Sequence, residues 1–323
     1  MRIGLHIGRF DWPESTHNLS ERLTEMAQAA DEAGLYSLSV MDHLFQLGTQ
    51  YGEIHGPFDA PMLEDYSTIA YLAAKTQRIK LGLLVTCNFF RPPGLLVKTV
   101  STIDVLSEGR AFLGIGAGWF EEEAQGLGIP LPATWSERFV RLEETLQIAH
   151  HMWAGKTTPF EGHYYQLAGP INVPPPLSKP HPPIVIGGSG ERKTLRLVAQ
   201  YADACNLVVN SPLPHEAFGV MACQTDRYEE WINGVKAYTQ HKLAVLRQHC
   251  ETVGRPYDEV DKSIVTYIAL GPGMMSADDV IRLCRDFADM GFSYVVFVIL
   301  NAYEIDPLVT FGREIIPVVN DFR

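Results

Sequence analysis

Asp42 and His43 stand side by side after the apolar run Ser37-Leu38-Ser39-Val40-Met41. An imidazole titrates near neutral pH, so His43 can take or give a proton, and a neighbouring carboxylate can orient it or a ligand. Adjacent side chains of a strand point to opposite faces, however, so both reach one ligand only if the strand end bends. The competing reading is a capping aspartate and a hydrogen-bonded structural histidine. His6 offers a weaker alternative base. No other histidines have metal-ligand spacing. There is no H-E-x-x-H, and His150-His151 falls on a helix whose apolar stripe faces elsewhere, so no metal site is expected. A G-x-S-x-G elbow is absent as well.

Two glycine runs carry further chemistry. Gly114-Ile115-Gly116-Ala117-Gly118-Trp119 has G-x-G-x-G spacing, not the dinucleotide G-x-G-x-x-G. Glu121, Glu122 and Glu123 follow at once; they suit a helix dipole but repel a pyrophosphate placed there. Glycines that let the backbone pass close to a flat ring are the better account. Gly187-Gly188-Ser189-Gly190-Glu191-Arg192-Lys193 reads as an anion site, with free N–H groups, a hydroxyl and two cations at a strand-to-helix turn. Its alternative is a tight turn with a solvated basic helix end. Cys87, at the end of the third predicted strand, reads as a small buried spacer before a reactive thiol.

The elements that must hold these residues alternate along the chain. Short runs rich in Val, Ile and Leu predict strands at Ile3–Gly8, Ser37–His43, Ile79–Thr86, Arg110–Gly118, Pro183–Gly188, Ala204–Val209, Ser263–Leu270 and Tyr294–Leu300, apolar on both faces. Helices lie between them. Asn18 with Glu21, Thr134 with Glu137, and Ser276 with Asp279 give start signals. Behind them run the apolar stripes Leu19-Leu23-Met26-Ala30, Trp135-Phe139-Leu142-Leu146 and Ile281-Cys284-Phe287. Eight strands each followed by a helix predict an α/β fold, a (β/α)8 TIM barrel, in one domain over residues 1–323, in preference to a doubly wound sheet. Insertions follow strands 2 (Leu44 to Leu63), 4 (Gly155 to Pro182, with a hairpin at Phe160 to Tyr165) and 6 (Leu213 to Tyr257). The helical part of the last, Glu229 to Cys250, shapes the entrance or a dimer contact. In such a barrel the chemistry belongs at the C-terminal strand ends, where the polar and glycine residues above accumulate.

Composition narrows the function classes. The 323 residues are 46% hydrophobic and 20% charged, with formal net charge −12. That excludes a disordered chain and disfavours a nucleic-acid binder, which needs a basic face. No run approaches the ~20 apolar residues of a membrane helix. The N-terminal MRIGLHIGRFDWPE has Asp11 and Glu14 too early for a secretory signal. Five scattered cysteines form neither a disulfide framework nor a zinc site. A reduced cytoplasmic protein with a small-molecule substrate is expected.

Taken in order, Met41-Asp42-His43, Leu81-Gly82-Leu83-Leu84-Val85-Thr86, GIGAGWFEEE from Gly114 and PIVIGGSGER from Pro183 resemble the bacterial luciferase-like superfamily. The branch most similar is that of coenzyme F420-dependent oxidoreductases. The resemblance implies a (β/α)8 barrel, a homodimer, and F420 or FMN at the C-terminal barrel end. It places Asp42 and His43 beside the ring, with His43 as leading acid–base group and Asp42 orienting it or the cofactor. A non-prolyl cis peptide at Leu84–Val85 would back the ring. Thr86, Gly116, Ala117 and Gly118 would border the ring or its ribityl chain, and Gly187, Gly188, Ser189 and Gly190 would hold the phosphate. Arg192, Lys193 and Arg196 would form a basic exit for the anionic F420 tail. Where sugar-phosphate-oxidising relatives carry a catalytic glutamate, this chain has Trp119. Sugar-phosphate oxidation is therefore not expected, and an apolar or aromatic substrate is. The alternative within the fold is an FMN-dependent monooxygenase supplied by a separate reductase; outside it, a noncatalytic ligand-binding barrel or a nicotinamide dehydrogenase.

Overall fold

The computed structural model describes residues 1–13, 15–52, 55–209 and 228–322. Its strands are β1 (Arg2–Ile7), β2 (Ser37–Val40), β3 (Lys80–Leu83), β4 (Thr86–Cys87), β5 (Leu113–Gly116), β6 (Phe160–Glu161), β7 (Gln166–Leu167), β8 (Ile184–Gly187), β9 (Ala204–Val208), β10 (Asp261–Ile268) and β11 (Tyr294–Ile299). All except the antiparallel pair β6–β7 join one parallel sheet in the order β3-β2-β1-β11-β10-β9-β8-β5-β4. The third predicted strand is interrupted: β3 pairs with β2, whereas β4 pairs with β5. A parallel bridge between Leu81 and Ala111 joins β3 to the approach of β5 and closes the ring. Among the described residues the result is an eight-staved barrel, and the doubly wound alternative falls.

The helices are α1 (Ser15–Ala33), α2 (Asp65–Lys75), α3 (Pro93–Leu106), α4 (Glu121–Gly126), α5 (Trp135–Trp153), α6 (Thr194–Tyr201), α7 (Tyr228–Val253), α8 (Ala277–Asp289), α9 (Asp306–Thr310) and α10 (Ile316–Val319). None of the described helices is long and apolar enough to cross a membrane.

Side chains alternate along the strands between two unlike environments. Facing the helices are Leu5, Leu38, Leu81, Leu113, Ile184, Leu207, Ile264 and Val295, all completely buried with Leu72, Leu146 and Phe287 of the helices. Each such side chain contributes on the order of 1.5–3 kcal/mol, so this outer layer is the energetic core. The inward set is different. His6 Nδ1 meets Ser39 Oγ at 3.0 Å, Asn206 Nδ2 donates to Ser263 Oγ at 2.9 Å, and Ser37 bonds the Tyr294 hydroxyl. A Cβ on Gly4 would lie 2.5 Å from Ser37 Oγ. The expectation of strands apolar on both faces is therefore corrected. The outer face is a continuous hydrophobic run, whereas the inner one mixes small and polar residues with apolar ones such as Phe112 and Val185.

The helix starts follow capping chemistry in two of three cases. Ser276 and Asp279 make a complete capping box, and Thr134 accepts the Glu137 N–H at 3.2 Å. Asn18 does not cap. The helix already runs from Ser15, Asn18 is a non-helical kink inside it, and its side-chain oxygen is buried without a partner. Trp135 is a second correction: it is 57% exposed under the Arg138 guanidinium, so the buried stripe of α5 starts later, with Leu142 and Leu146. The insertion after strand 4 does form the predicted hairpin.

Candidate active site at the C-terminal mouth of the barrel

Beyond β2 the chain leaves the sheet, and Asp42 and His43 part company. His43 turns toward α4, where its Nδ1 lies 2.8 Å from Glu123 Oε1. Glu123 is buried, and its other oxygen accepts the Leu44 N–H at 2.6 Å. A carboxylate is acceptor-only, so it fixes the proton on Nδ1 and leaves the Nε2 lone pair free. Trp119 and Phe120 pack edge-on against the imidazole, with centroids at 5.7 and 5.6 Å. The orienting partner of His43 is thus Glu123, not Asp42, a role that reading the three glutamates as one acidic block could not reveal. Residues 121 and 123 lie about 200° apart around a helix. Glu121 accordingly goes elsewhere, to buried Arg138 at 2.6 Å.

Asp42 anchors structure. It accepts the Cys87 N–H at 2.7 Å and both of its oxygens take Arg91 Nη1, at 2.9 and 2.8 Å. Arg91 Nη2 continues to Glu64 at 2.5 Å, and its guanidinium lies 4.7 Å from the Tyr66 ring centre. Burial opposes the Arg91 charge, but Asp42 and Glu64 outweigh it and raise its pKa. Beside this pair sits Asp65, wholly buried, with neither oxygen meeting a donor. Burial, then the Asp42 charge, holds its carboxyl protonated well above the usual range. Thr86 is likewise committed, its hydroxyl 2.8 Å from that of Tyr66. Burial, reinforced by Asp42, pushes the Cys87 thiol up, which makes it an inert spacer.

The Leu84–Val85 peptide is cis, at the position the resemblance indicated. Val85 explains the neighbouring glycines. A Cβ would come within 2.9 Å of Val85 at Gly116 and 2.7 Å at Gly187, while at Gly114 it would sit 2.0 Å from the Leu83 carbonyl. These glycines make room for the barrel's own chain. Ala117 follows at the strand end. Gly118 has φ +71° and its carbonyl accepts from Arg138.

At the second glycine run, Gly188 (φ +112°) donates its N–H to the Asn206 carbonyl. The N–H groups of Ser189 and Gly190 and the Ser189 hydroxyl have no partner among the described residues. Arg192 is exposed, but Arg196 is held by Glu143 at 2.7 Å and drops out of the expected basic exit. Glu191 is neutralised by Lys242 at 2.5 Å. Asn88, directly after β4, is fully buried with neither amide atom bonded. An anion at the glycine loop and a polar ligand at Asn88 are what these unmet groups require, so the residues fit a phosphate-bearing heterocycle.

Trp119, Tyr51 and Phe58 form a partly exposed aromatic rim, Tyr51 and Trp119 with centroids 5.2 Å apart. Tyr51 and Phe58 come from the insertion after strand 2. The hairpin after strand 4 instead docks on α5, where Glu144 accepts the N–H groups of His163, Tyr164 and Tyr165, and it plays no part in the rim. Of the insertion after strand 6, residues 210–227 lie outside the described residues. Its helix, α7, buries Trp231, Val235 and Leu246 within the chain.

His6 is corrected as a proton carrier. Burial, with a contribution from His43, lowers its pKa from 6.5 to about 4, so it is neutral at pH 7. The unfolded chain takes the proton that the fold refuses; stability is full above pH 6.5 and is lost as pH falls toward about 4. Near pH 4 the wild type should have lost about 3 kcal/mol relative to His6→Asn, each pKa unit being 1.36 kcal/mol. Urea midpoints of both proteins from pH 7.5 downward measure this, and parallel curves would refute it.

The sequence matches luciferase-like monooxygenases over residues 1–288. It is 30% identical over 258 residues to an F420-dependent glucose-6-phosphate dehydrogenase of Nakamurella multipartita, a stretch that is 78% of this chain and 65% of that protein. The chain thus spans just under two thirds of that relative's length. A monooxygenase from Streptomyces bottropensis superposes with TM-score 0.76 at 16% identity, covering 98% of this chain and 99% of that one. The coenzyme F420-dependent tetrahydromethanopterin reductase of Methanopyrus kandleri gives 0.72 at 14%, covering 100% and 99%. At such identities these two speak for the fold alone. Together with the match over residues 1–288, the closed barrel and its polar C-terminal mouth make this chain a member of the luciferase-like monooxygenase family.

Proposed function

We propose that the protein is an F420-dependent oxidoreductase that moves a hydride between the deazaflavin and a small apolar or aromatic substrate. The observation that carries this reading is the His43–Glu123 pair at the C-terminal mouth, the same end of the barrel that holds a glycine loop with unmet anion donors. The relative named an F420-dependent dehydrogenase supports the choice of cofactor. When bound, F420 supplies the hydride acceptor or donor. Ser189 and the Ser189 and Gly190 N–H groups would hold its phosphate, Asn88 would meet a polar atom of the ring system, and Arg192 and Lys193 remain for the tail. Asp42, Leu84, Val85, Thr86, Gly116, Ala117, Gly118, Gly187 and Gly188 build the seat. His43 takes or gives the substrate proton at Nε2, with Glu123 keeping the other nitrogen protonated. The aromatic rim excludes water and selects an apolar substrate, and Trp119 argues against glucose 6-phosphate. A homodimer in the cytoplasm belongs to the same reading.

Fluorescence titration with F420 and FMN tests the cofactor. Micromolar F420 binding is expected; micromolar FMN binding without F420 binding would replace this reading by the reduced-flavin monooxygenase, with its separate reductase. Gly188→Val should weaken F420 binding about tenfold or more, since its φ of +112° strains any β-branched residue by ~1–3 kcal/mol. Unchanged affinity would mean that the phosphate lies elsewhere.

A further inference from the structure

A cavity of about 210 Å³ lies at the end of the barrel opposite the glycine loops, mainly among the first residues of the strands. Barrel interiors are ordinarily filled by layers of branched side chains. Here the inward positions at this level are Gly4, Ser37 and Ala204, too small to fill the space. Phe112, Val185, Leu84 and Tyr294 supply the walls. An apolar cavity of about 150 Å³ admits a benzene ring, so this one holds a substituted ring or a short alkyl chain.

Charge at the rim specifies the other end of the ligand. Arg2 is paired with Asp261 at 2.8 Å. Asp203, which accepts the Ile184 N–H at 2.7 Å and lies 3.8 Å from His181 Nδ1, keeps its negative charge, so Lys80 and Lys179 leave the rim with one net positive charge. These two rim cations have no carboxylate partner among the described residues. Among the described residues Lys80 Nζ donates only to the Gly109 carbonyl, at 2.8 Å, and Lys179 Nζ only to the Pro176 carbonyl, at 3.3 Å. An ammonium has three donors, so each lysine keeps two. Two such cations over an apolar shaft, in a chain of net charge −12, form a local site for a negative head on an apolar body.

We propose that the N-terminal mouth of the barrel binds a small amphiphilic carboxylate, its apolar part in the shaft and its carboxylate on Lys80 and Lys179. The site is built mainly from the first residues of the strands; Leu84 is a wall common to it and the cofactor seat, but the two share no cation. Octanoate is a suitable probe and 1-octanol its neutral control, titrated calorimetrically into the wild type, Lys179→Glu and Lys80→Gln/Lys179→Glu. Saturable octanoate binding is expected, weaker by about tenfold or more in the double variant and for octanol, because charge-assisted hydrogen bonds are the strong ones. Lys179 is exposed, so Lys179→Glu alone keeps the fold and should already weaken binding several-fold. Equal affinity in the wild type and Lys179→Glu would place the ligand elsewhere. Equal affinity of octanol would refute the carboxylate, and no binding at millimolar octanoate would refute the site.

Discussion

His43→Ala is expected to lower kcat by about 10²–10⁴-fold, the usual worth of a positioned acid–base group. KM for the substrate should move far less, because the proton is transferred only in the reacting complex. Glu123→Gln separates orientation from chemistry. Its carbonyl oxygen still accepts one hydrogen bond, but the charge that fixes the imidazole proton on Nδ1 is gone. A hydrogen bond to a charged group is worth about 1.5–3 kcal/mol, so kcat should fall roughly 10- to 150-fold. Asp42→Asn is the contrast. Asp42 bonds Arg91 and the Cys87 N–H and not His43, so its loss should appear in stability more than in the turnover of folded protein. Single-turnover kinetics of the three variants with reduced F420, alongside circular dichroism to confirm folding, give the comparison. An unimpaired Glu123→Gln, or a His43→Ala retaining half the wild-type rate, would remove His43 from the mechanism.

Much of the barrel was legible because its outer layer obeys simple periodicities. Leu38-Ser39-Val40 and Leu113-Gly114-Ile115 read as strands on their branched residues, and Ser276 with Asp279 marked its helix through a reciprocal capping bond. What stayed hidden depended on which way a side chain turns after regular structure ends. Asp42 and His43 lie beyond the end of β2, so strand alternation does not decide their directions; their partners, Cys87 and Arg91 for Asp42 and Glu123 of α4 for His43, are distant in sequence. Glu123 was legible as one acid among three, since nothing local says that it turns inward while Glu121 meets Arg138. The glycines of β5 and β8 were legible as tight places. That the tight contacts are the Leu83 carbonyl at Gly114 and the Val85 side chain at Gly116 and Gly187 depends on a neighbouring stave that composition does not encode. The small and polar positions of the barrel interior escaped for a related reason: Gly4, Ser37 and Ala204 look like minor interruptions in apolar runs until the ring brings them to one level.

Arg91→Met is expected to destabilise the fold by about 3–5 kcal/mol, because it leaves the buried Asp42 charge unpaired. Among the described residues the guanidinium is the one cation bonded to Asp42, and its second nitrogen ties Glu64, which itself caps α2 through the Ser67 N–H at 2.7 Å. One side chain thus joins the end of β2, the start of α2 and, through Asp42, the Cys87 N–H of β4. The neutral Asp65 beside Asp42 can offer a hydrogen bond but no charge. Arg91→Lys should recover only part of the loss, since an ammonium cannot make the planar fork to two carboxylates. The double variant Asp42→Asn/Arg91→Met should lose less than the sum of its singles, because neither buried partner is left charged and alone. Urea unfolding of the four proteins at pH 7 closes the cycle. A loss below about 1 kcal/mol for Arg91→Met, the range of exposed ion pairs, would mean that water reaches Asp42 and that this buried tie does not hold the mouth together.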